Sequence, residues 1–202
     1  MTEVIKMSSN TSAVRGLHGR SQDGVQCRRC QHTENKPIET LAHVLGACHY
    51  GHLLRVNRHN TVRALIANEL RKSYEVYEEV GGLANDGSVR RIDIIAIDRK
   101  KKSGIIIDPT IRFEVQQVQP LEIDKDKKDI SYLLSVTHYK EKYSLEEIEV
   151  VGLMIGARGT ITSFFINFCK RFNINQETMK RIVHATIRSS IHILRNHIYT
   201  SI

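Results

Sequence analysis

The chain has 202 residues, a formal net charge of +8 and a sequence pI near 9.4. At roughly 150 residues per domain, this length predicts one domain with an appendage and excludes a multidomain enzyme. No apolar run approaches the ~18 residues of a membrane span, and residues 1–26 lack the apolar core of a secretory signal. The excess of basic residues favours a polyanionic partner.

The charge is unevenly distributed along the chain. Residues 1–72 carry 11 basic and 5 acidic side chains, residues 73–150 carry 12 and 16, and residues 151–202 carry 7 and 1. Two basic segments therefore flank an acidic middle. A divalent cation is one group that would use the carboxylates of that middle segment.

The hydrophobic pattern predicts a first helix and three strands in the first half of the chain. Residues 1–26 are polar and are expected to be irregular, and a Cys/His cluster follows them. Apolar positions at helical spacing predict a helix over 60–72, with Asn60 as its N-cap. Runs rich in β-forming residues predict strands over 74–80, 89–97 and 104–114.

The second half of the chain predicts more helix. We expect a helix over 130–143, a buried strand over 148–155 and closing helices over 161–172 and 179–198. The predicted class is α/β, with an αβββαβ core and C-terminal helices behind a small zinc-binding module. The predicted units are a basic lead-in at 1–26, a zinc knuckle at 27–58 and a larger domain at 59–202.

The Cys/His cluster has the spacing of a metal site. Cys27, Cys30, His43 and Cys48 offer three thiolates and one imidazole, which are the ligands of tetrahedral zinc. Four ligands close the coordination shell, so the predicted zinc is structural and supplies folding energy to a segment with few large apolar residues. Because His43 and Cys48 are five residues apart, a helix through His43 must end or distort near Gly46.

Other assignments of these residues remain open from the sequence. His32 and His49 are competing ligands, and Cys27 and Cys30 could instead be free surface thiols. Cys169 stands alone in an apolar helix and is expected to be an ordinary core residue.

Two aspartates lie inside apolar β runs, at Asp93 and Asp108. An antiparallel hairpin centred near position 100.5 sets them opposite each other, with Cβ atoms ~5 Å apart. Facing carboxylates repel unless a proton or a cation lies between them, and Mg²⁺ takes such carboxylates together with water and phosphate oxygens. The pair therefore indicates metal-assisted phosphodiester hydrolysis. The alternative is plain ion pairing with neighbouring arginines, namely Arg90 or Arg91 and Arg112.

These motifs, in this order, resemble the C-terminal region of site-specific non-LTR retrotransposon polyproteins, of the type that inserts into ribosomal RNA genes. The resemblance covers nearly the whole chain. The residues that carry it are Arg15 to Arg20, the Cys/His knuckle with residues 39–45, the tripeptide Arg58-His59-Asn60, the pair Asp93 and Asp108, and Lys142-Tyr143.

The resemblance implies a restriction-endonuclease-like domain that nicks target DNA, together with a knuckle that contacts nucleic acid. It implies Asp93 and Asp108 as ligands of a catalytic Mg²⁺ or Mn²⁺, and DNA as the partner, with RNA as a second candidate. It also implies a nuclear location and a reverse transcriptase elsewhere in the intact element. The expected nucleic-acid contacts are Arg28, Arg29, Arg58 and His59.

The chain departs from the family pattern at three places. Ile92 stands where the signature has a proline, and Thr110 stands where the general signature has a lysine. The family resembles a variant with the catalytic lysine on the next helix, which fits Lys142 and, less well, Lys140. No Tyr-x-Asp-Asp polymerase motif occurs in the sequence, so we expect a fragment without reverse transcriptase. The competing hypothesis is a catalytically inactive, zinc-dependent nucleic-acid-binding module.

Overall fold

The computed structural model describes residues 2–19, 24–30, 34, 36–84, 86–115 and 117–200. The helices within these ranges are α1 (Glu3–Ser8), α2 (Leu41–Gly46), α3 (His52–Leu70), α4 (Gln119–Asp126), α5 (Val136–Tyr143), α6 (Ser163–Arg171) and α7 (Gln176–Tyr199). The strands are β1 (Glu75–Leu83), β2 (Val89–Asp98), β3 (Ser103–Arg112) and β4 (Glu147–Gly156). Short 3-10 turns lie at His49–Gly51 and Leu133–Ser135, and a π turn lies at Lys127–Ser131.

The four strands form one sheet in the order β1-β2-β3-β4. The β1/β2 and β2/β3 pairs are antiparallel, and the β3/β4 pair is parallel, so the chain must cross over between β3 and β4 through α4 and α5. The β2/β3 ladder pairs Asp98 with Ser103 and ends at Ile94 and Ile107. This is the register predicted from the sequence, and the mixed α/β class is confirmed with it.

Both faces of the sheet are buried, which explains the continuous isoleucine runs of β2 and β3. Helices α3, α6 and α7 cover one face and enclose the largest apolar cluster. The segment from the π turn to the start of β4 covers the other face, where Tyr132, Tyr139 and Leu145 pack on Ile95 and Ile106. The sheet is therefore the middle layer of the fold.

The crossover is fixed by a close approach of α4 to β4 at Gly152. A Cβ atom at Gly152 would lie 2.8 Å from the Cα of Asp124, so a larger residue would displace α4. The backbone N–H of Gly152 also donates to Oδ1 of the buried Asp124 at 2.9 Å. This contact sets the position of Lys127, which directly follows α4.

Several helix boundaries differ from the sequence prediction. α1 lies in the segment expected to be irregular, because Met7 is buried against α7. α3 begins at His52 rather than at Asn60, and it runs through the predicted 58/59 domain boundary. Between the strand predicted over 104–114 and the helix predicted over 130–143 the chain forms α4, and α5 begins at Val136 rather than at 130. No helix in the described part of the chain is long and apolar enough to cross a membrane.

Candidate metal centre and carboxylate cleft

The structure brings the four predicted metal ligands together. One ligand atom from each of Cys27, Cys30, His43 and Cys48 lies within 4.8 Å of all the others. The Cys27 and Cys48 sulfurs are 3.8 Å apart, the Cys30 and Cys48 sulfurs are 3.7 Å apart, and Cys30 Sγ lies 3.5 Å from His43 Nε2. The chain therefore has a Cys3His cluster that could hold a metal ion.

These separations match tetrahedral coordination. With Zn–S bonds of about 2.3 Å and Zn–N bonds of about 2.0–2.1 Å, two sulfurs are expected about 3.8 Å apart, and a sulfur and a nitrogen about 3.6 Å apart. None of the four cysteines of the chain, all of which lie in the described ranges, is part of a disulfide. The donor set and its dimensions thus fit zinc.

The local fold explains how His43 and Cys48 reach one point. Thr40 caps α2, because its Oγ1 accepts from the backbone N–H of His43 at 3.1 Å. The helix ends at Gly46, and the carbonyl of His43 then accepts from the N–H groups of Ala47 and Cys48, each at 2.8 Å. The expected helix end near Gly46 is confirmed, and it turns Cys48 back toward His43.

Burial determines how the unligated side chains would ionise. The three cysteines of the cluster are at most 3% exposed, so they are not free surface thiols. Burial raises the pKa of Cys27 to about 12 and also raises the pKa of Cys48, so these thiols depend on a bound cation to become thiolates. Burial lowers the pKa of His43, which keeps its imidazole neutral and able to bind a metal.

The structure also shows the position of His49, one of the two competing ligands, and of the fourth cysteine. His49 is exposed in the 3-10 turn, and His32 lies outside the described residues. Cys169 is 1% exposed within the largest apolar cluster, and burial raises its pKa to about 12. The expectation that Cys169 is a core residue is confirmed.

A buried histidine from α7 lies beside the centre, and the sequence analysis missed it. His197 is 2% exposed, with Nε2 at 3.8 Å from Cys27 Sγ and Nδ1 at 3.7 Å from Cys48 Sγ. Its Nε2 also lies 3.1 Å from Oε2 of the fully buried Glu39. A metal ligand would bring one nitrogen close to every sulfur, whereas His197 brings a different ring nitrogen to each of these two sulfurs. His197 therefore lies outside the Cys3His shell and supports it from there.

Glu39 is held by several donors at once. It receives the side chain of Arg28 at 2.7 Å and the backbone N–H groups of Arg15 and Arg28, each at 2.9 Å. Burial opposes ionisation of Glu39, but the hydrogen bonds from His197 and Arg28 outweigh burial and lower its pKa. Cys27, Glu39 and His197 form a second group with metal-ligand spacing, although these donors already occupy Glu39.

Three of the expected nucleic-acid contacts are instead engaged inside the protein. Arg28 binds Glu39, and Arg29 donates to the His197 carbonyl at 2.9 Å and stacks on Tyr50 at 4.4 Å. Both arginines thereby hold the C-terminal end of α7 against the metal centre. Local sequence could not predict this arrangement, because the α7 carbonyls that accept from Arg28 and Arg29, those of Ile198 and His197, are 170 and 168 residues away along the chain.

Arg58 is buried, and this contradicts the nucleic-acid contact expected from the sequence. It is only 2% exposed, and its guanidinium donates to Ser190 Oγ at 2.8 Å and to the Leu45 carbonyl at 2.9 Å. Burial lowers its pKa to about 10. Arg58 therefore joins α2, α3 and α7 in the interior, in place of the phosphate contact expected from the sequence.

The aspartates line a cleft where the β2/β3 ladder ends. The last pair of the ladder is Ile94 with Ile107, and Asp93 and Asp108 are the next residues beyond it on their two strands. Both aspartates border a cavity of about 430 Å³. The other cleft residues include His52, Arg55, His59, Thr110, Arg112 and Lys127. The cleft thus combines carboxylates with cationic side chains.

Asp108 is the more buried carboxylate, at 6% exposure. Its Oδ2 accepts from Tyr132 Oη at 2.7 Å and pairs with Lys127 Nζ at 2.8 Å. Its Oδ1 accepts from Thr110 Oγ1 at 3.0 Å, so the residue at the signature's lysine position orients this carboxylate. Burial and the charge of Asp108 raise the pKa of Tyr132, which keeps the phenol as a hydrogen-bond donor.

Asp93 pairs with His59 across the cleft. His59 Nε2 lies 3.3 Å from Asp93 Oδ1, and this contact raises the pKa of His59. The charge of Asp108 raises the same pKa further, so both carboxylates act on one imidazole. Among the ion pairs of the described residues, Asp93 pairs with His59 and Asp108 pairs with Lys127, in place of the arginines considered from the sequence, and Arg91 binds Glu79.

The lysines expected from the resemblance lie elsewhere. Lys142 Nζ is exposed and lies 3.3 Å from the Gly81 carbonyl of β1, and neither Lys140 nor Lys142 borders the cleft. Lys127, from the π turn after α4, is the lysine that reaches Asp108. The sequence carried only a weak signal for it, namely a lysine pair within a charged segment.

Comparison with known proteins adds little to this description. No family model matches the chain, and no curated protein matches it. Among solved structures, a protein of unknown function designated AF1548 shares 12% identity with a TM-score of 0.32, over 71% of this chain and 90% of that one. Such a likeness supports no inference about the function or fold of this chain.

Proposed function

We propose that the protein is a divalent-metal-dependent DNA endonuclease stabilised by a structural zinc. The observation that carries this proposal is the cleft in which Asp93 and Asp108, from adjacent strands, meet Lys127 and His59. Oxygen ligands from two carboxylates are what Mg²⁺ or Mn²⁺ requires at a phosphodiester. The αβββαβ order is that of the restriction-like core implied by the resemblance.

Each cleft residue has a role in this proposal. Asp93 and Asp108 would hold the cation, which when bound offsets charge on the phosphate and lowers the pKa of a water molecule. Lys127 replaces Lys142 as the cation that faces the scissile phosphate, because its Nζ is already 2.8 Å from Asp108. Tyr132 and Thr110 keep the Asp108 carboxylate in place through their hydrogen bonds.

The zinc site would be structural in this arrangement. Its four ligands leave no open position, and Arg28 and Arg29 point into the protein. The zinc would stabilise the region in which α2, α3 and α7 meet. A nuclear location and cooperation with a reverse transcriptase belong to the same proposal through the retrotransposon resemblance.

Nicking of supercoiled plasmid tests the catalytic assignment. We expect the purified, zinc-loaded protein to nick plasmid with Mg²⁺ or Mn²⁺, and Asp108→Ala to reduce the rate at least ~100-fold. Cys169→Ala is the control. It removes a buried side chain that does not border the cleft, so it should leave nicking intact. Equal nicking by wild-type protein and Asp108→Ala would refute the role of Asp108.

One observation favours the competing function, a catalytically inactive nucleic-acid-binding module. Lys127 and His59 each form an ion pair with one of the two carboxylates. If these contacts are permanent, the cleft cannot recruit a metal. Absence of nicking, combined with DNA binding that weakens steeply as salt rises, would establish this second function.

A further inference from the structure

The outer face of α7 carries a row of basic side chains, in which lysines and arginines supply the positive charge and two histidines lie between them. The helix spans Gln176–Tyr199 without interruption, and its inner face buries Ile182, Ser190 and His197. The exposed positions recur every three or four residues and are Lys180, Arg181, His184, Arg188, His192 and Arg195. At 1.5 Å per residue, the row from Arg181 to Arg195 is about 21 Å long.

Little negative charge accompanies this row. Glu177 is the one acidic residue of segment 151–202, and it lies at the start of α7. Arg195 pairs with Glu3 of α1, whereas Lys180, Arg181 and Arg188 form no ion pair with any described residue. Elsewhere in the described structure, exposed arginines such as Arg99 and Arg171 have carboxylate partners.

The row is separate from the carboxylate cleft. α7 packs on α3 through its inner face, where Ser190 meets Arg58, and the cleft residue His59 belongs to α3. The row of basic side chains lies on the opposite side of α7 from that contact. A polyanion bound to the row would therefore meet a surface that the proposed cleavage site does not include.

We propose that the outer face of α7 docks duplex DNA outside the cut site through its phosphate backbone. A duplex carries one charge per about 1.7 Å of axis with both strands counted, so a 21 Å length of duplex carries about a dozen phosphates, of which the near side would face the row. A duplex is also stiff over about 150 base pairs, so it remains aligned with one rigid helix, whereas a single strand does not. Between Lys180 and Arg195 the helix has no Phe, Tyr or Trp, and His184 and His192 are the two rings of the row on which unpaired bases could stack.

Two charge-matched double variants test this surface. Arg181→Ala with Arg188→Ala removes two charges from α7, and Lys100→Ala with Lys101→Ala removes two from the exposed β2–β3 loop. Affinity for a labelled 30-base-pair duplex is measured by fluorescence anisotropy at several salt concentrations, without divalent cations so that no cleavage occurs. Thermal melts confirm that both variants are folded.

We expect the α7 variant to lose about tenfold in affinity near 0.1 M salt, and its log-log salt slope to fall by about 1.8, since each lost phosphate contact contributes about 0.9. The loop variant should retain the wild-type slope. Equal losses in both variants would assign the effect to net charge and overturn the proposal, as would no loss in either. A larger loss for single-stranded RNA than for duplex would overturn the choice of ligand.

This inference extends beyond the proposed endonuclease activity and fails separately from it. Normal nicking by wild-type protein with unchanged binding by the α7 variant would refute the docking surface alone. Weakened binding by the α7 variant in a protein that nicks nothing would refute the endonuclease alone.

Discussion

The metal centre and the carboxylate cleft hold their charged ligands in opposite ways. The sulfurs of the centre are nearly fully buried, and their spacing is already that of a tetrahedral shell. The carboxylates of the cleft border open space, and each already has a cation supplied by the protein. Under the proposed function, the first site would hold a resident ion and the second would hold one that arrives and leaves.

The difference follows from what each site would lose without a metal. Thiols buried without a cation remain protonated, so without its ion the centre would keep only the hydrogen bonds of Glu39 and the two arginines to hold its loops together. In the cleft, the contacts of Lys127, Tyr132 and Thr110 with Asp108 would hold the carboxylate in place after metal loss. We therefore expect metal loss to cost folding at the first site and activity alone at the second.

Loss of a centre ligand should have the largest effect. Structural zinc contributes about 10–16 kcal/mol of apparent binding energy in small metal domains, so Cys48→Ala should abolish zinc binding and unfold the region around α2. Zinc content per chain and amide exchange at the end of α7 measure this outcome. Cys169→Ala is the control, because it removes a buried cysteine outside the centre and should keep the full zinc content. Protected amides at the end of α7 in zinc-free Cys48→Ala would contradict a stabilising role for the ion.

Substitution of the cleft lysine should reduce activity without unfolding the protein. Lys127→Met removes the cation beside Asp108 and is expected to slow nicking about 100-fold, whereas Lys142→Met should have little effect. Plasmid nicking rates and thermal melts of the two variants separate catalysis from stability. The reverse result would restore Lys142 as the working lysine and place Lys127 in a purely structural role.

The smallest expected effect is on stability and concerns Glu114, a carboxylate that belongs to neither site. Its substitution measures what a purely structural ion pair contributes to the free energy of unfolding. Glu114 binds Arg158 Nε at 3.1 Å and accepts from the Arg158 backbone N–H at 3.0 Å. Burial opposes ionisation of Glu114, but its own backbone N–H and Arg158 outweigh burial and lower its pKa below the ordinary value of 4.5. Glu114→Gln should reduce the free energy of unfolding by about 1–2 kcal/mol at pH 7.

The pH dependence of that difference follows from the direction of the shift. Because the folded-state pKa is depressed, the contribution of Glu114 is complete above about pH 4.5 and is lost as pH falls through the folded value. The stability difference between wild type and Glu114→Gln should therefore narrow below about pH 4.5. Denaturant titrations of both proteins at matched zinc measure it, since metal release at low pH affects both equally. A constant difference would contradict a charged Glu114.

Local sequence pattern predicted the parts of the fold that depend on near neighbours. The symmetry of the apolar runs around the 98–103 loop fixed the hairpin register, and cysteine spacing identified the metal ligands. Burial of Cys169 also followed from its apolar neighbours. In each case the determining contacts lie within one motif or one pair of adjacent elements.

Side chains whose partners are distant along the chain could not be predicted in this way. His197 reaches the centre from 149 residues beyond Cys48, and Lys127 reaches Asp108 only because α4 lies close on Gly152. The first turns of α3 lack an apolar stripe because Arg58, rather than an aliphatic residue, fills the interior there. Polar residues buried by tertiary pairing give no periodic signal in the sequence.

The buried Arg58 has a practical consequence for dissecting this protein. A recombinant fragment that begins at residue 59 would lose Arg58 and the Leu45 carbonyl, and it would leave Ser190 with only the Ala157 carbonyl. A fragment that ends before α7 would instead leave the Arg58 guanidinium without Ser190, to which it donates a hydrogen bond. The knuckle and the larger domain are therefore best produced as one polypeptide. Swapping the knuckle, which includes Arg58, between homologous chains would require Ser190 to be exchanged with it.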